Sequence, residues 1–122
     1  MRRLVKDMRG QAMIEMALVL PILLALVFGI IEFGNIYSHQ LEVNNLARHS
    51  VRTAIVESVK TDAQLETEFE ARMPGAVVDL ERDVATGDIT ATVVYECTLI
   101  TGQILGLETK ELTAVATMKA ER

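Results

Sequence analysis

Residues 12–33 read AMIEMALVLPILLALVFGIIEF, and Glu15 and Glu32 are the charged side chains in this stretch. We call these residues the span. As a helix the span is about 33 Å long, which is enough to cross the hydrocarbon core of a bilayer. The sequence therefore predicts a transmembrane helix over residues 11–33, between a short leader and a small domain.

Charge is divided unevenly on the two sides of the span. Residues 1–10 form a basic leader with Arg2, Arg3, Lys6 and Arg9 against Asp7, whereas the region after residue 34 has 14 acidic and 8 basic side chains. The positive-inside rule then predicts a cytoplasmic N-terminus and an extracytoplasmic C-terminus. A net charge of −5 with clustered acids argues against a nucleic-acid partner.

A cleaved secretory signal is an alternative interpretation of the first 33 residues. Such signals have an apolar region of about 7–15 residues, and the span is longer. Its far end reads GIIEFGN, so Glu32 stands where a small-residue cleavage site is expected. We therefore favour a retained membrane anchor.

Glu15 is the unusual residue of the span, because a carboxylate inside an apolar helix costs a few kcal/mol unless it is interfacial or paired. The sequence leaves both possibilities open, an interfacial carboxylate and a paired one. A cut after Gly10 would make Gln11 a new N-terminus, one helical turn from Glu15. The amine of the same chain or of a neighbour could then neutralise the carboxylate, and we favour this pairing.

This arrangement of leader, Gly10, Glu15 and apolar helix resembles the processing motif of type IV pilin-like proteins. The string RGQAMIEMALVLPILLALVFGIIEFG, residues 9–34, resembles the TadE-like family of the Flp (Tad) tight-adherence pilus system. The elements that carry the resemblance are Gly10, Glu15, Pro21, Leu23, Leu24, Gly29, Glu32 and Gly34. Residues 41–56 and 113–121 are similar to later parts of the family more loosely.

The resemblance implies a pseudopilin or minor pilin that a prepilin peptidase cuts between Gly10 and Gln11. It implies an assembly role for Glu15, and Glu32 is read either as an interfacial carboxylate or as an inter-subunit contact. The implied partners are the peptidase, sibling minor pilins and the Flp pilin, the inner-membrane assembly platform and membrane lipid. Met16 stands where the major Flp pilins carry tyrosine, which favours an accessory subunit.

Residues 34–122 are expected to form an extracytoplasmic α+β domain. The long N-terminal helix, transmembrane and then amphipathic, should continue to about residue 59 and pack on a small, mostly antiparallel three-stranded sheet. A short helix is predicted over 62–72, and period-two alternation predicts strands over 76–84, 88–99 and 110–120. Glu66, Glu68 and Glu70 are interpreted as a solvated face, and Arg48 and Arg52 as a solvated flank.

The sequence has no motif that indicates catalysis, a cofactor or a metal site, and we expect a protein that is not an enzyme. His39 and His49 are ten residues apart, so about 15 Å separates them along a helix. Cys97 is the single cysteine and is read as a buried free thiol, with an intermolecular disulfide as the alternative. The alternative function is an uncut single-span protein whose outer domain binds a cell-envelope partner.

Overall fold

The computed structural model describes residues 2–57, 59–102, 106 and 109–120, with side chains from Gly10 onward. The chain divides into two compact units, Met1–Gly34 and Asn35–Arg122, and we call the second unit the outer domain. The predicted α+β class is confirmed. Its elements are α1 (Arg2–Val56), α2 (Asp62–Arg72), β1 (Ala76–Arg82), β2 (Asp88–Thr98) and β3 (Thr109–Lys119).

The outer-domain part of α1 is amphipathic and contributes one side of the core. Val43, Ala47, Val51 and Ala54 recur at steps of three or four residues and are buried. Ser50 lies on the same side of the helix, although its hydroxyl is polar. Ser50 is nevertheless fully buried, and its Oγ donates to the Leu46 carbonyl oxygen at 2.8 Å, which satisfies the hydroxyl inside the core.

The sheet has the order β1-β2-β3, and both pairs of strands are antiparallel. Its register places Val78, Val93 and Ala114 side by side, and all three are buried on the face that α1 covers. We call this the inner face. The opposite, open face alternates with it and carries Val77, Asp79, Glu81, Thr90, Thr92, Val94, Glu96, Glu111, Thr113, Val115 and Thr117.

Helix α2 covers the outer edge of β1. Its Leu65 and Phe69 are fully buried, and two of its carboxylates bond to the edge of the strand. Glu66 Oε1 accepts from the Leu80 N–H at 3.0 Å, and Glu70 Oε1 accepts from the Val78 N–H at 3.4 Å. The predicted solvated face is therefore wrong for these two residues.

The spacing of the two elements explains these bonds. Four residues of helix advance about 6 Å and two residues of strand about 6.6 Å, so successive turns of α2 meet successive outward N–H groups of β1. The same progression continues to Asp62, whose Oδ1 accepts from Arg82 Nε at 2.7 Å. An edge that would otherwise offer unpaired N–H groups is thereby closed.

Helix α1 ends at Val56, three residues before the predicted limit near residue 59. The Glu57 N–H still bonds to the Thr53 carbonyl oxygen at 2.7 Å, and the chain then turns. Lys60 Nζ lies 2.8 Å from carboxylate oxygens of both Glu57 and Glu68. The hydrogen bond to Glu57, followed in size by the bond to Glu68, raises the pKa of Lys60. The bond from Lys60 in turn lowers the pKa of Glu68.

Strand β1 ends at Arg82, two residues before the predicted limit at residue 84. The cause is Asp83, whose Oδ1 accepts from the Ala85 N–H at 2.8 Å and so fixes a turn. Hydrogen bonds from Ala85 and Thr86 lower the pKa of the Asp83 carboxyl. β2 ends one residue before its predicted end, and β3 begins and ends one residue before its predicted limits.

We predict that Glu66→Ala weakens the closure of the β1 edge. Loss of the carboxylate acceptor leaves the Leu80 N–H unpaired at a cost of about 1 kcal/mol, which makes amide hydrogen exchange at Leu80 about fivefold faster. Glu68→Ala is the matched control, because Glu68 lies on the same helix but pairs with Lys60. Unchanged exchange at Leu80 in Glu66→Ala would show that the bond contributes nothing.

Candidate functional site

The processing site predicted from the sequence lies on the helical backbone of α1. Gly10 and Gln11 are exposed, and a Cβ placed on Gly10 would meet no atom within 4 Å. Glycine inside a helix lowers its stability by about 1 kcal/mol relative to alanine. The Gly10–Gln11 bond is thus both accessible and located at a weak point of the helix, two properties that favour cleavage.

Glu15 lies one turn beyond this bond. Its Oε1 accepts a hydrogen bond from Gln11 Nε2 at 3.2 Å, and both side chains are exposed. Residues four apart on a helix are neighbours, so a charge on Gln11 would lie within reach of the Glu15 carboxylate. The structure therefore brings together Gln11 and Glu15, two of the residues that the sequence singles out.

The rest of the span presents apolar side chains on all sides. Within the described part of the chain, one helix is long and apolar enough to cross a membrane. None of the residues in its most apolar segment is buried. Pro21 lies inside it and removes one backbone N–H donor, which membrane helices tolerate. The exposed large side chains are Met13, Ile14, Met16, Leu18, Val19, Leu20, Ile22, Leu23, Leu24, Leu26, Val27, Phe28, Ile30, Ile31 and Phe33.

Glu32 occupies the other end of the span. It is half-buried, whereas Glu15 is exposed. Seventeen residues of helix separate the two carboxylates by about 25 Å, so they cannot act on the same group. The structure thus assigns Glu15 and Glu32 to separate positions, as the spacing in the sequence implies.

The two histidines of the outer domain are packed against different elements. The His39 ring lies 5.3 Å from the Tyr95 ring, and the His49 ring lies 5.8 Å from that of Phe69. His49 also lines an open groove of about 310 Å³ between α1 and the end of α2, where Arg72 and Met73 are among the other lining residues. The sequence does not predict this groove, because its walls come from two separate elements.

Metal ligation has no visible basis in the described ranges. Among those residues, no group of three or more histidine, cysteine, aspartate or glutamate side chains is arranged to hold a metal ion. The thiol of Cys97 is 1% exposed, and Asn35 Nδ2 lies 3.9 Å from its sulfur. The thiol therefore belongs to the core of the outer domain.

Comparison with known families supports the reading of the N-terminal unit. The model of the TadE-like protein family matches residues 10–52, a segment that begins at Gly10 and extends into the amphipathic half of α1. The curated proteins and the solved structures compared with the chain give no match. Residues 10–52 are therefore similar to the TadE-like family, and the resemblance predicted from the sequence is confirmed over that segment.

Proposed function

We propose that this chain is a membrane-anchored minor pilin or pseudopilin that serves in assembly of Flp (Tad) adhesive pili. The observation that carries the proposal is the family match, which starts at Gly10, immediately after the basic leader. The long apolar helix supports an anchor in the inner membrane. The basic leader supports a cytoplasmic N-terminus and an extracytoplasmic outer domain.

In this proposal the chain is a substrate of a prepilin peptidase rather than an enzyme. Hydrolysis of the Gly10–Gln11 bond removes the basic leader and leaves a free amine on Gln11. Loss of four basic side chains from the cytoplasmic flank releases the span for lateral assembly. The accessible glycine and the exposed helix around it support this step.

The proposed role of Glu15 is to neutralise that amine. The Gln11 side chain already bonds to Glu15 in the uncut chain, which shows that the two positions share one face of the helix. Inside a bilayer an unpaired charge is costly, so an amine and a carboxylate that meet there stabilise each other. The amine can come from the same chain or from a neighbouring subunit.

The proposed partners follow from the same family. They are the prepilin peptidase, sibling minor pilins and the Flp pilin, the inner-membrane assembly platform and the surrounding lipid. Met16 in place of the tyrosine of the major Flp pilins supports an accessory rather than a principal subunit.

A second candidate is an uncut single-span protein whose outer domain binds a cell-envelope partner. The observation in its favour is that the outer domain has its own core, built from the end of α1, from α2 and from the sheet. Cleavage distinguishes the two candidates, because only the first requires it.

We predict that Gly10→Val blocks processing. In cells that contain the cognate peptidase, the wild-type membrane form should begin at Gln11 by intact-mass measurement, whereas Gly10→Val should retain its leader. Gly29→Val is the matched control, because it adds the same side chain to an equally open position in the span. A wild-type chain that keeps Met1 beside active peptidase would favour the second candidate.

We predict that Glu15→Leu separates processing from assembly. Removal of the carboxylate makes the span more apolar, so membrane insertion and cleavage should persist. Recovery of sibling pilins with the tagged chain, and surface piliation, should fall at least about tenfold because the amine loses its anion. Glu32→Leu is the comparison and should do less if Glu32 is interfacial. Wild-type assembly in Glu15→Leu with loss in Glu32→Leu would overturn the proposed contact.

A further inference from the structure

Two arginines on α1 have no charged partner among the residues that the structure describes. Arg48 and Arg52 are exposed on the side of the helix that faces away from the sheet. Throughout the part of the chain that the structure describes, neither guanidinium takes part in an ion pair. Like charges four residues apart on a helix repel each other, so this pair is unfavourable within the isolated domain.

Two acids on the open face of the sheet are in a similar position. Asp79 and Glu81 are exposed on β1, and their neighbours across β2 are the uncharged Thr92 and Thr90. The described residues supply neither carboxylate with a cation. Among its described residues, the outer domain thus carries two arginines without an ion pair on its helical side and two acids without an ion pair on its sheet side.

The arginine pair and the acid pair lie at similar positions along the common direction of α1 and β1. At one end Asn35 meets Cys97, and at the other Arg82 Nη2 donates to the Ala54 carbonyl oxygen at 3.4 Å. Cys97 lies near the end of β2, which in the antiparallel sheet is beside the start of β1, and Arg82 is the last residue of β1. Asn35 therefore lies near the start of β1 and Ala54 near its end, so α1 and β1 run in the same direction. Interpolation between them, with about 1.5 Å per helix residue and about 3.3 Å per strand residue, places Arg48 near the level of Asp79 and Arg52 near that of Glu81.

The spacing within each pair also agrees. Arg48 and Arg52 are four residues apart on a helix, a rise of about 6 Å. Asp79 and Glu81 are two residues apart on a strand, a distance of about 6.6 Å. A parallel copy displaced sideways therefore brings each arginine opposite one acid, without any shift along the axis.

Exposed apolar side chains flank both charged pairs in the same order. On α1, Leu41 precedes the arginines and is 46% exposed, and Val56 follows them and is 74% exposed. Along β1 they are Val77, 60% exposed, before the acids and Val84, 92% exposed, beyond the end of the strand. The two surfaces thus present the same apolar–charged–charged–apolar sequence with opposite charges.

We propose that these surfaces bind each other between copies of the chain, so that Arg48 and Arg52 of one copy pair with Asp79 and Glu81 of a second copy beside it. The matching heights require two outer domains that lie side by side and point in the same direction. The contact is heterologous and leaves a free surface on each side for a further copy. It does not depend on cleavage after Gly10 and so goes beyond the proposed function.

Disulfide cross-linking of the full chain in liposomes tests the contact. In a Cys97→Ala background, a chain with Arg52→Cys is mixed with a differently tagged chain with Glu81→Cys. Cross-linked heterodimer should exceed that of a control mixture of Arg52→Cys and Glu96→Cys at least about tenfold, and should fall in 1 M salt because screening weakens exposed ion pairs. Equal yields in the two mixtures overturn the proposal.

Charge reversal supplies an independent arm, measured as energy transfer between labelled full-length copies. Arg48→Glu with Arg52→Glu, and separately Asp79→Arg with Glu81→Arg, should each weaken self-association about tenfold, because two attractive pairs become repulsive. A mixture of the two reversed chains should associate as the wild type does. Failure of that mixture to associate means that the faces meet another molecule, which also overturns the proposal.

The matched control for reversal lies on the same open face. Glu96 and Glu111 are exposed and directly opposite each other across β2 and β3, at the end of the sheet near Asn35. Glu96→Arg with Glu111→Arg changes the charge of the open face by the same amount as reversal of Asp79 and Glu81. It should leave self-association unchanged, and an equal loss in this variant would show that only net charge matters.

Discussion

The rest of this chain depends on one constraint, which is that a single helix must suit both a membrane and the core of a small domain. The hydrocarbon core of a bilayer offers no hydrogen-bond partners, so a segment that crosses it must satisfy its backbone internally. Residues 12–33 do so as part of α1, except where Pro21 lacks an N–H. Beyond Gly34 the same helix must be apolar on one side only, because a sheet covers that side. Val43, Ala47, Val51 and Ala54 are buried there, whereas no residue in the most apolar segment of the span is buried.

The outer domain solves a second problem, the edges of a three-stranded sheet. On β1 the solution is α2, whose Glu66 and Glu70 accept from strand N–H groups while Leu65 and Phe69 fill the core. On β3 the Thr113 carbonyl oxygen accepts from Gln40 Nε2 at 3.3 Å, so α1 covers part of that edge too. In the part of the chain that the structure describes, the open face and the far side of α1 are left uncovered, and the acids and arginines without an ion pair lie there.

Local patterns predicted most of this architecture. Ile89, Ala91 and Val93 alternate with threonines, and they are the buried residues at the centre of β2. The sequence did not predict the bonds of Glu66 and Glu70, because their acceptor role depends on a strand edge eight to fourteen residues away in the chain. Glu15 was identifiable because a carboxylate in an apolar run is costly wherever it lies, whereas the arginine and acid pairs acquire meaning only from their matched heights in the fold.

Reagent accessibility along α1 tests the central claim most directly. In a Cys97→Ala background, single cysteines are placed in the leader at Lys6, in the span at Leu26 and in the outer domain at Arg48, and intact cells are treated with a membrane-impermeant thiol reagent. We predict that the cysteine at Arg48 is labelled in intact cells and that the cysteine at Leu26 is not. The cysteine at Lys6, in chains kept uncut by Gly10→Val, should be labelled only after lysis. Labelling at Leu26 equal to that at Arg48, or labelling at Lys6 from outside, would contradict it.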